Sequence, residues 1–461
     1  MEVTAEHERK LQAAEGFELP DLGGDPLERR LFTSIYYDTA DRSLSRAGIT
    51  LRRRTERGKS AWQLKLPAAD ARLELEEPGG PAGPSESMLK LLRAHLRHGP
   101  LEPIAELRTR RHGSLVARNG TTAEVTVDEV AVMDSLRVAQ EFVEVEIELR
   151  TGSPKRLDEI VDAVADAGAS PADGTPKLFR ALGITTAGED PGDDPFERLR
   201  TLLRVQLRQV LAHDPGTRLG VDPESLHDMR VAVRRSRALL RAGRTLIGSD
   251  TTALADELKW LGGVLGAVRD LDVLLERLQG TAAELGPPDA AAAGKLLQVL
   301  QRRRTQARRA LMRALDDDRY LQLLDDFQRQ LDALEPTSTE TTLDALARKQ
   351  LKKLRRAASA VGDDPADVEL HELRKLGKRA RYAAELAGHA SVVKRAKELQ
   401  DVLGEHQDAV VAEETLRGLA ADALPAGALA AGRLVDGERE RRAEARATWR
   451  KAWKRLERAA A

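Results

Sequence analysis

Two patterns of hydrophobic and polar positions divide the chain into two halves. Between residues 2 and about 148, short segments such as AEVTVDEV and EFVEVEIEL alternate hydrophobic and polar residues, and Gly- and Pro-rich breaks such as EEPGGPAGPS separate them. This alternation predicts strands, with helices expected only near 87–98 and 154–167. Beyond a polar linker at 185–195, hydrophobic residues recur every three or four positions. That spacing predicts a run of amphipathic helices.

The helical half contains an internal repeat. The segment LHDMRVAVRRSR at 226–237 returns as LHELRKLGKRAR at 370–381, and LGAVRDLDV at 265–273 returns as LGEHQDAVV at 403–411. The two segments return after similar intervals of the chain, which is the signature of a duplicated structural unit. We therefore expect two four-helix halves that face each other about a pseudo-twofold axis.

Length and composition limit the classes of protein to consider. A chain of 461 residues is long for one hydrophobic core, and we predict two domains, at 1–184 and 196–458. The chain has no cysteine, which excludes disulfides, thiolate metal sites and cysteine nucleophiles. Its first residues lack the apolar core of a signal peptide, and no stretch approaches the roughly 20 apolar residues of a membrane span. We expect a cytoplasmic protein without a membrane partner.

Charge is distributed unevenly although the net charge is only −1. Residues 1–190 carry 26 basic and 33 acidic residues, whereas 191–461 carry 48 and 42. The basic half suggests a polyanionic partner, but aromatic residues make up only 3 % of the chain, so stacking surfaces for nucleic-acid bases are scarce. Phosphate without bases fits this composition better than nucleic acid does.

Charged residues share one face of each predicted strand in the first half. Glu6, Glu8 and Lys10 alternate in EHERK, so their side chains leave the same side of a strand. Neighbouring carboxylates repel each other unless a cation such as Mg²⁺ or Mn²⁺ lies between them, although a solvated edge strand would show the same pattern. The alternation recurs at Arg52 and Arg54, Lys65, Glu74 and Glu76, Arg108 and Arg110, Glu124 and Asp128, and Glu144, Glu146 and Glu148. Basic strands and acidic strands of this kind would converge if the sheet closed into a tunnel.

Residues 1–182 resemble the CYTH family of triphosphate tunnel metalloenzymes. The resemblance rests on the order of EHERK, LRRR, LKLP, RLELEE, LRTRR, EVTVDEV, EVEIEL and PKLFRAL. It implies an antiparallel eight-stranded tunnel in which acidic side chains hold one or two divalent metal ions, Mg²⁺ or Mn²⁺. The metal-side residues that it implies are Glu6, Glu8, Asp128, Glu144 and Glu146. The residues that would bind the triphosphate are Lys10, Arg52, Arg54, Lys65, Arg108, Arg110 and Lys177, and the first four of these are expected to be catalytic.

The repeated helical segment carries a basic face in both copies. Basic residues follow a histidine at helical spacing, with almost no acidic partner one turn away, so the face favours an anion over plain solvation. This pattern resembles the CHAD family, whose domains are associated with inorganic polyphosphate, and the match covers about 195–455. The residues implied in polyphosphate binding are His227, Arg230, Arg234 and Arg237 in the first copy and His371, Arg374, Lys378 and Arg381 in the second. Asp270 and Asp408 would orient these basic side chains by ion pairing, while the two histidines could equally be capping or core residues.

Three functions are compatible with these features. The first is metal-dependent hydrolysis of inorganic triphosphate or short polyphosphate, with the helical domain bound to polyphosphate, including polyphosphate granules. In that case water is the nucleophile, and the general base is either Lys10, with a pKa lowered by cationic neighbours, or a metal-bound hydroxide. The second is a non-catalytic polyphosphate-binding or granule-targeting protein. The third, cyclisation of ATP, needs a base-recognition pocket for which the sequence offers no candidate.

Overall fold

The protein consists of two compact units in a computed structural model. The first comprises Met1–Gly188 and Leu211–Leu226, and the second comprises Glu189–Val210 and His227–Ala461. Most of the predicted linker lies outside the described residues, so the domain boundary at 185–195 stays a prediction. The structure describes residues 2–67, 72–172, 177–182, 192, 194–337 and 341–460, without the side chains of Glu2, Ala5 and Glu6.

The first unit is built on one antiparallel sheet. Its strands are β1 (Glu2–Glu6), β2 (Glu8–Ala13), β3 (Asp25–Pro26), β4 (Arg30–Asp38), β5 (Thr50–Glu56), β6 (Lys59–Pro67), β7 (Arg72–Pro78), β8 (Glu102–Arg118), β9 (Thr121–Asp134), β10 (Arg137–Thr151) and β11 (Ser170–Pro171). Neighbouring strands follow the order β1-β7-β6-β5-β4-β8-β9-β10-β2-β11, and β3 pairs with β8.

The N-terminal segment closes this sheet into a tunnel. β1 pairs with β7, where Thr4 lies opposite Glu74, and β2 pairs with β10, where Lys10 lies opposite Glu146. Only His7 separates β1 from β2. One short segment therefore pairs with both ends of the remaining sheet, and the side chains of alternate positions point into a common interior.

Short helices pack against the sheet. α1 (Ser43–Arg46), α2 (Glu86–Leu91) and α3 (Leu157–Asp166) lie on its outer face, whereas α4 (Lys177–Leu182) contributes Lys177 to the interior, and 3₁₀ turns occur at Leu96–His98 and Pro154–Arg156. The helices predicted near 87–98 and 154–167 are thus present. Apolar strand residues such as Val145 and Ile147 pack under α3, and Leu64 and Leu75 pack under α2. These apolar residues face outward, so the charged residues at alternate positions of the same strands face the tunnel interior.

Asp38 fixes the turn that leads from β4 into α1. Its side chain is completely buried, and its carboxylate accepts hydrogen bonds from the backbone N–H groups of Thr39, Leu44 and Ser45 at 2.8, 2.9 and 3.0 Å, and from the Ser45 hydroxyl at 2.6 Å. These bonds satisfy backbone donors at the start of α1 that have no partner within the helix.

The rest of the described chain is helical. Its helices are α5 (Pro195–Leu219), α6 (Pro223–Ala242), α7 (Thr252–Ala283), α8 (Pro287–Asp316), α9 (Asp318–Asp332), α10 (Leu343–Ala360), α11 (Asp367–Leu386), α12 (Ala390–Ala421) and α13 (Pro425–Ala459). The predicted fold class, an antiparallel sheet domain followed by an all-helical domain, is confirmed. In the part of the chain that is described, no helix is both long and apolar enough to cross a membrane.

The internal repeat corresponds to matching helices. The basic motif lies on α6 and returns on α11, and the second repeated segment lies on α7 and returns on α12. Each helix buries an apolar stripe, as where Leu373 and Ala380 of α11 pack with Leu399 of α12 and Trp449 of α13. The basic stripe of α11 lies beside its buried stripe, so packing fixes the direction in which the basic side chains point.

Candidate functional site

Charged side chains converge on a cavity of about 250 Å³ inside the tunnel. The residues that line it come from strands all around the sheet and from α4. They are Glu8, Lys10, Arg30, Tyr36, Thr50, Arg52, Arg54, Gln63, Lys65, Arg72, Glu74, Glu76, Arg111, Glu124, Glu146, Glu148, Arg150 and Lys177. The interior combines many cationic groups with carboxylates and has little apolar surface, which suits a small and highly charged ligand.

Lys10 lies among three carboxylates on one side of this cavity. Its ammonium Nζ is 2.8 Å from Glu146 Oε1, 3.4 Å from Glu144 Oε1 and 3.5 Å from Glu8 Oε1. The register of β2 against β10 places Lys10 directly opposite Glu146. Side chains at directly opposite positions of an antiparallel pair are close neighbours, so strand pairing alone accounts for this contact.

Lys177 and Arg111 complete the cluster. Lys177 Nζ, from α4, lies 2.5 Å from Asp128 Oδ2 and 2.8 Å from Glu146 Oε1. Arg111 donates from Nε and Nη2 to the two oxygens of Asp128, both at 2.6 Å, and from Nη2 to Glu146 Oε2 at 2.5 Å. Glu146 thus accepts hydrogen bonds from three cationic side chains.

Burial and charge pairing oppose each other in this cluster, and pairing prevails. Burial disfavours the charged form of Lys10, but Glu146, Glu144 and Glu8 outweigh it and raise the pKa of Lys10 well above its ordinary value. Burial likewise disfavours the Glu146 carboxylate, but Lys10, Lys177 and Arg111 hold the pKa of Glu146 well below its usual range. The expectation that cationic neighbours lower the pKa of Lys10 is therefore wrong, because its neighbours are carboxylates.

Arg52, Arg54 and Lys65 lie on adjacent strands of the cavity wall. Arg52 donates to Gln63 Oε1 at 2.7 Å and to the Tyr36 hydroxyl at 3.1 Å. Arg54 lies 2.7 Å from Glu56 Oε2, and its guanidinium carbon is 3.8 Å from the centre of the Phe32 ring. Lys65 Nζ is 3.7 Å from Glu74.

Arg54 experiences an excess of positive charge. Burial is the largest cause, and Arg52, Arg30 and Arg111 add to it, so the pKa of Arg54 falls to about 10 despite its pairing with Glu56. An anion in the cavity would relieve this repulsion, because the charged form of each guanidinium would gain a counterion. The charge pattern of this wall is thus suited to binding phosphate oxygens.

Two of the expected phosphate-binding residues do not line the cavity. The side chain of Arg108 is 50 % exposed and that of Arg110 is 78 % exposed, and both point to the outside of β8. The expectation that they face the interior is wrong by one position, because Leu107, Thr109 and Arg111 occupy the inward face of this strand. The sequence does not single out Arg111, because LRTRR has basic residues at positions that face both sides of a strand. In the structure, Arg111 lies opposite Asp128 across β8 and β9, so the side chain of Arg111 faces the same side of the sheet as that of Asp128.

Of the expected metal-side carboxylates, Glu8 and Glu146 line the cavity, and Asp128 and Glu144 are completely buried beside them. The side chain of Glu6 lies outside the described residues. The oxygens of these carboxylates are hard ligands of the kind that Mg²⁺ and Mn²⁺ prefer. Glu144 Oε2 is buried and accepts no hydrogen bond from the described residues, although it lies 3.6 Å from Arg180 Nη2. Among the described side chains, however, no group of three or more is arranged to hold a metal ion. The ammonium groups of Lys10 and Lys177 lie between these carboxylates. The donors fit a divalent cation in chemistry, and such an ion would take over oxygens that now accept from the two lysines.

The two basic stripes of the helical repeat interact with each other. Burial is the first cause that lowers the pKa of Lys378, on α11, to about 8, and the charges of Arg374, Arg234, Arg230 and Arg381 lower it further. Residues of α6 and α11 therefore share one electropositive region. A region with an excess of cations that is partly withdrawn from water favours an anionic ligand.

The acidic residues expected to orient this region do contact it. Arg230 Nη2 lies 2.8 Å from Asp270 Oδ1, and Arg374 Nη2 lies 3.9 Å from Asp408 Oδ1.

The remaining members of the stripes are only partly exposed. His227 and His371 are half-buried, and Arg237 is near Arg241 at the other end of α6. Three buried atoms of the α11 stripe lack a hydrogen-bond partner among the described residues, namely His371 Nδ1, Arg374 Nε and Arg381 Nε.

Comparisons with known proteins identify both halves of the chain. The family model of the CYTH domain matches residues 4–178, and that of the CHAD domain matches 201–417. Uncharacterized proteins of Mycobacterium tuberculosis strains CDC 1551 and H37Rv are 35 % identical over 468 residues, which cover 92 % of this chain and 90 % of theirs.

Two solved structures match part of this chain. PptA from Streptomyces chartreusis is 26 % identical with a TM-score of 0.49, over 57 % of this chain and 100 % of that one. The CHAD domain from the plant Ricinus communis is 27 % identical with a TM-score of 0.48, over 59 % and 95 % of the two chains. CYTH domains belong to a family of metal-dependent enzymes that act on triphosphates, and CHAD domains are linked to polyphosphate. The chain belongs to the two-domain proteins in which a CYTH domain precedes a CHAD domain.

Proposed function

We propose that the tunnel hydrolyses inorganic triphosphate or short polyphosphate with the help of a divalent cation, and that the helical domain binds polyphosphate. The observation that carries the first part is the convergence of Arg52, Arg54 and Lys65, from β5 and β6, on a small cavity that Glu8 and Glu146, from β2 and β10, also line. Phosphoryl transfer depends mainly on positioning and on neutralising the charge of the phosphate oxygens, and both tasks suit this arrangement.

In this proposal the side chains of the tunnel divide the work. Arg52 and Arg54 bind phosphate oxygens, and their planar guanidinium groups suit two oxygens of one phosphate. Lys65, and Lys10 once an ion has displaced it from the carboxylates, add point charges that bind the same oxygens. Mg²⁺ or Mn²⁺ bound by Glu8, Glu144 and Glu146 would neutralise further charge on the phosphate and activate water. The cavity also has few aromatic surfaces for a nucleobase, which favours an inorganic substrate over a nucleotide.

Phosphate release from tripolyphosphate tests the hydrolase. We expect turnover by the full-length protein with Mg²⁺ or Mn²⁺ and none with EDTA, and we expect Arg52→Gln and Glu8→Gln to reduce it by at least about a hundredfold. Arg108→Gln, at an exposed position outside the cavity, is the matched control and should keep the wild-type rate. ATP and thiamine triphosphate as alternative substrates would define the specificity.

A non-catalytic role is the second candidate, and one observation favours it. The described carboxylates contact lysines and are not arranged as metal ligands. If no substrate is turned over under any metal condition while polyphosphate still binds, the protein would be a binding or targeting module.

Binding of polyphosphate by the helical domain rests on the joint basic region of α6 and α11. Affinity of the full-length protein should fall steeply as salt concentration rises, because polyanion binding releases counterions. Competition by duplex DNA or by RNA at equal phosphate concentration should be weak. Equal competition would reduce the proposal to general polyanion binding, and affinity independent of salt would contradict it.

A further inference from the structure

The two arginines that begin the basic region lie over glycines in the repeated helices. A Cβ atom placed on Gly266 of α7 would lie 3.5 Å from Arg230 Nε and 3.8 Å from Arg230 Nη2. A Cβ atom placed on Gly404 of α12 would lie 3.5 Å from Arg374 Nη2 and 3.8 Å from Arg374 Nε. Each guanidinium therefore packs directly against the backbone of the neighbouring helix.

These contacts correspond to each other through the internal repeat. Gly266 and Gly404 occupy the same position of the repeated segment, in LGAVRD and LGEHQD. The aspartate that ends each segment pairs with the arginine that lies over the glycine of that segment. The arginines occupy the same position of the basic motif. The whole arrangement of glycine, arginine and aspartate is thus present twice, on two pairs of helices.

Glycine at these positions opposes helix formation. Both residues are buried within helices of 32 residues, where glycine destabilises relative to alanine because it loses more backbone freedom on folding. Other glycines of the same helices, Gly263 and Gly418, have no atom of the described residues within 4 Å of such a Cβ. Close approach to an arginine distinguishes Gly266 and Gly404 from them.

We propose that Gly266 and Gly404 are positioning residues for polyphosphate binding. In this inference, which rests on the proposed function of the helical domain, each glycine leaves room for a guanidinium to lie against the helix. The aspartate one turn later fixes its orientation, so that the remaining N–H groups face the bound phosphates. Any side chain that extends beyond Cβ would occupy the space of the guanidinium and turn it away.

The pair formed by Gly404 and Arg374 gives the sharper test. Arg374 is 3.9 Å from Asp408, and its buried Nε has no hydrogen-bond partner among the described residues, so it is the arginine with more capacity left for a ligand. Gly404→Gln should weaken binding of the full-length protein to long-chain inorganic polyphosphate by at least about tenfold, which corresponds to one lost hydrogen bond to a charged group. Gly404→Ala should bind as the wild type does, because its Cβ would meet the guanidinium at an ordinary contact distance.

Two controls separate positioning from a general effect on the helix. Gly418→Gln makes the same change on the same helix at an open position and should leave affinity unchanged. In an Arg374→Ala background, Gly404→Gln should cause no further loss, since the group that it displaces is already absent. If Gly404→Gln lowers the unfolding midpoint, the same comparison is made with Gly266→Gln, with Gly263→Gln as its control and Arg230→Ala as its background.

The outcomes distinguish the inference from the proposed function. Equal affinity of Gly404→Gln and Gly418→Gln, in protein that binds polyphosphate, would overturn the positioning role. A loss that persists in the Arg374→Ala background would overturn it as well. Failure of the wild-type protein to bind polyphosphate would instead overturn the proposed function of the domain.

Discussion

Arg111 and Arg110 are adjacent arginines of β8, and replacing Arg111 should destabilise the protein far more than replacing Arg110. Arg111 is 15 % exposed and donates three hydrogen bonds of 2.5–2.6 Å to Asp128 and Glu146. Arg111→Ala would leave Asp128, which is completely buried, with Lys177 as its remaining ion-pair partner among the described cationic side chains. Loss of one partner from a buried ion pair costs about 3–5 kcal/mol. For a domain of this size that loss lowers the unfolding temperature by roughly 6–20 °C.

Arg110 provides the matched control. Its side chain is 78 % exposed, and its guanidinium is 3.9 Å from Glu129 at the surface, a type of pair that contributes about 0–1 kcal/mol. Arg110→Ala should therefore unfold within a few degrees of the wild type, and it should also keep any triphosphatase activity. Arg111→Ala should lose that activity, because the carboxylate cluster would lose its order.

Thermal unfolding followed by circular dichroism, together with phosphate release from tripolyphosphate, would check both variants. Equal unfolding temperatures for the two variants would refute the assignment of Arg111 to the interior. A larger effect from Arg110→Ala would show that the phase of β8 is reversed.

Three further changes have defined outcomes. Asp38→Ala should lower the stability of the tunnel domain by about 2–4 kcal/mol in urea unfolding, because buried backbone donors of the α1 turn lose a charged acceptor. Affinity for polyphosphate should decline as pH rises through about 8, where Lys378 loses its proton and its charge, and a Lys378→Arg variant, which stays charged, should show no such decline in a binding titration. Asp270→Asn should weaken polyphosphate binding several-fold, since Arg230 would lose the carboxylate that fixes its orientation, and unchanged or stronger binding would contradict that role of Asp270.

Alternation in the sequence predicts the tunnel walls well where apolar and charged residues take strictly alternate positions. In β10, Val143, Val145 and Ile147 face the outer core, which leaves Glu144 and Glu146 inside. In β8 the inward face is not uniformly charged, because Leu107 points into an apolar cluster formed with Leu178 and Phe179 of α4. That cluster forms only in the folded domain and is not visible in the alternation of the sequence. Alternation alone therefore predicts the wrong set of inward-facing residues for this strand.

Contacts between residues that lie far apart in the sequence are a second feature that the sequence does not predict. The basic stripes of α6 and α11 are visible in the sequence, but the pKa of Lys378 is lowered first by burial and then by arginines of both helices, and only the fold brings these together. Likewise, the sequence shows that the glycines are repeated, but it does not indicate that Arg230 and Arg374 lie over them. Helical periodicity predicts which face a residue occupies and does not predict what packs against that face.

Closure of the tunnel by its first strands also sets the order in which the domain can form during synthesis. β2 emerges from the ribosome early, but its partner β10 lies about 140 residues later, as the pairing of Glu8 with Glu148 illustrates. At ~5–20 residues per second, this interval corresponds to on the order of ten seconds. Throughout that time the edge of β2 is unpaired, and Leu11, which is buried in the finished domain, has no core to join. The intervening strands β4 to β9 pair mainly with sequence neighbours, so they can assemble into an open sheet first, and β2 closes the tunnel only after β10 has been made.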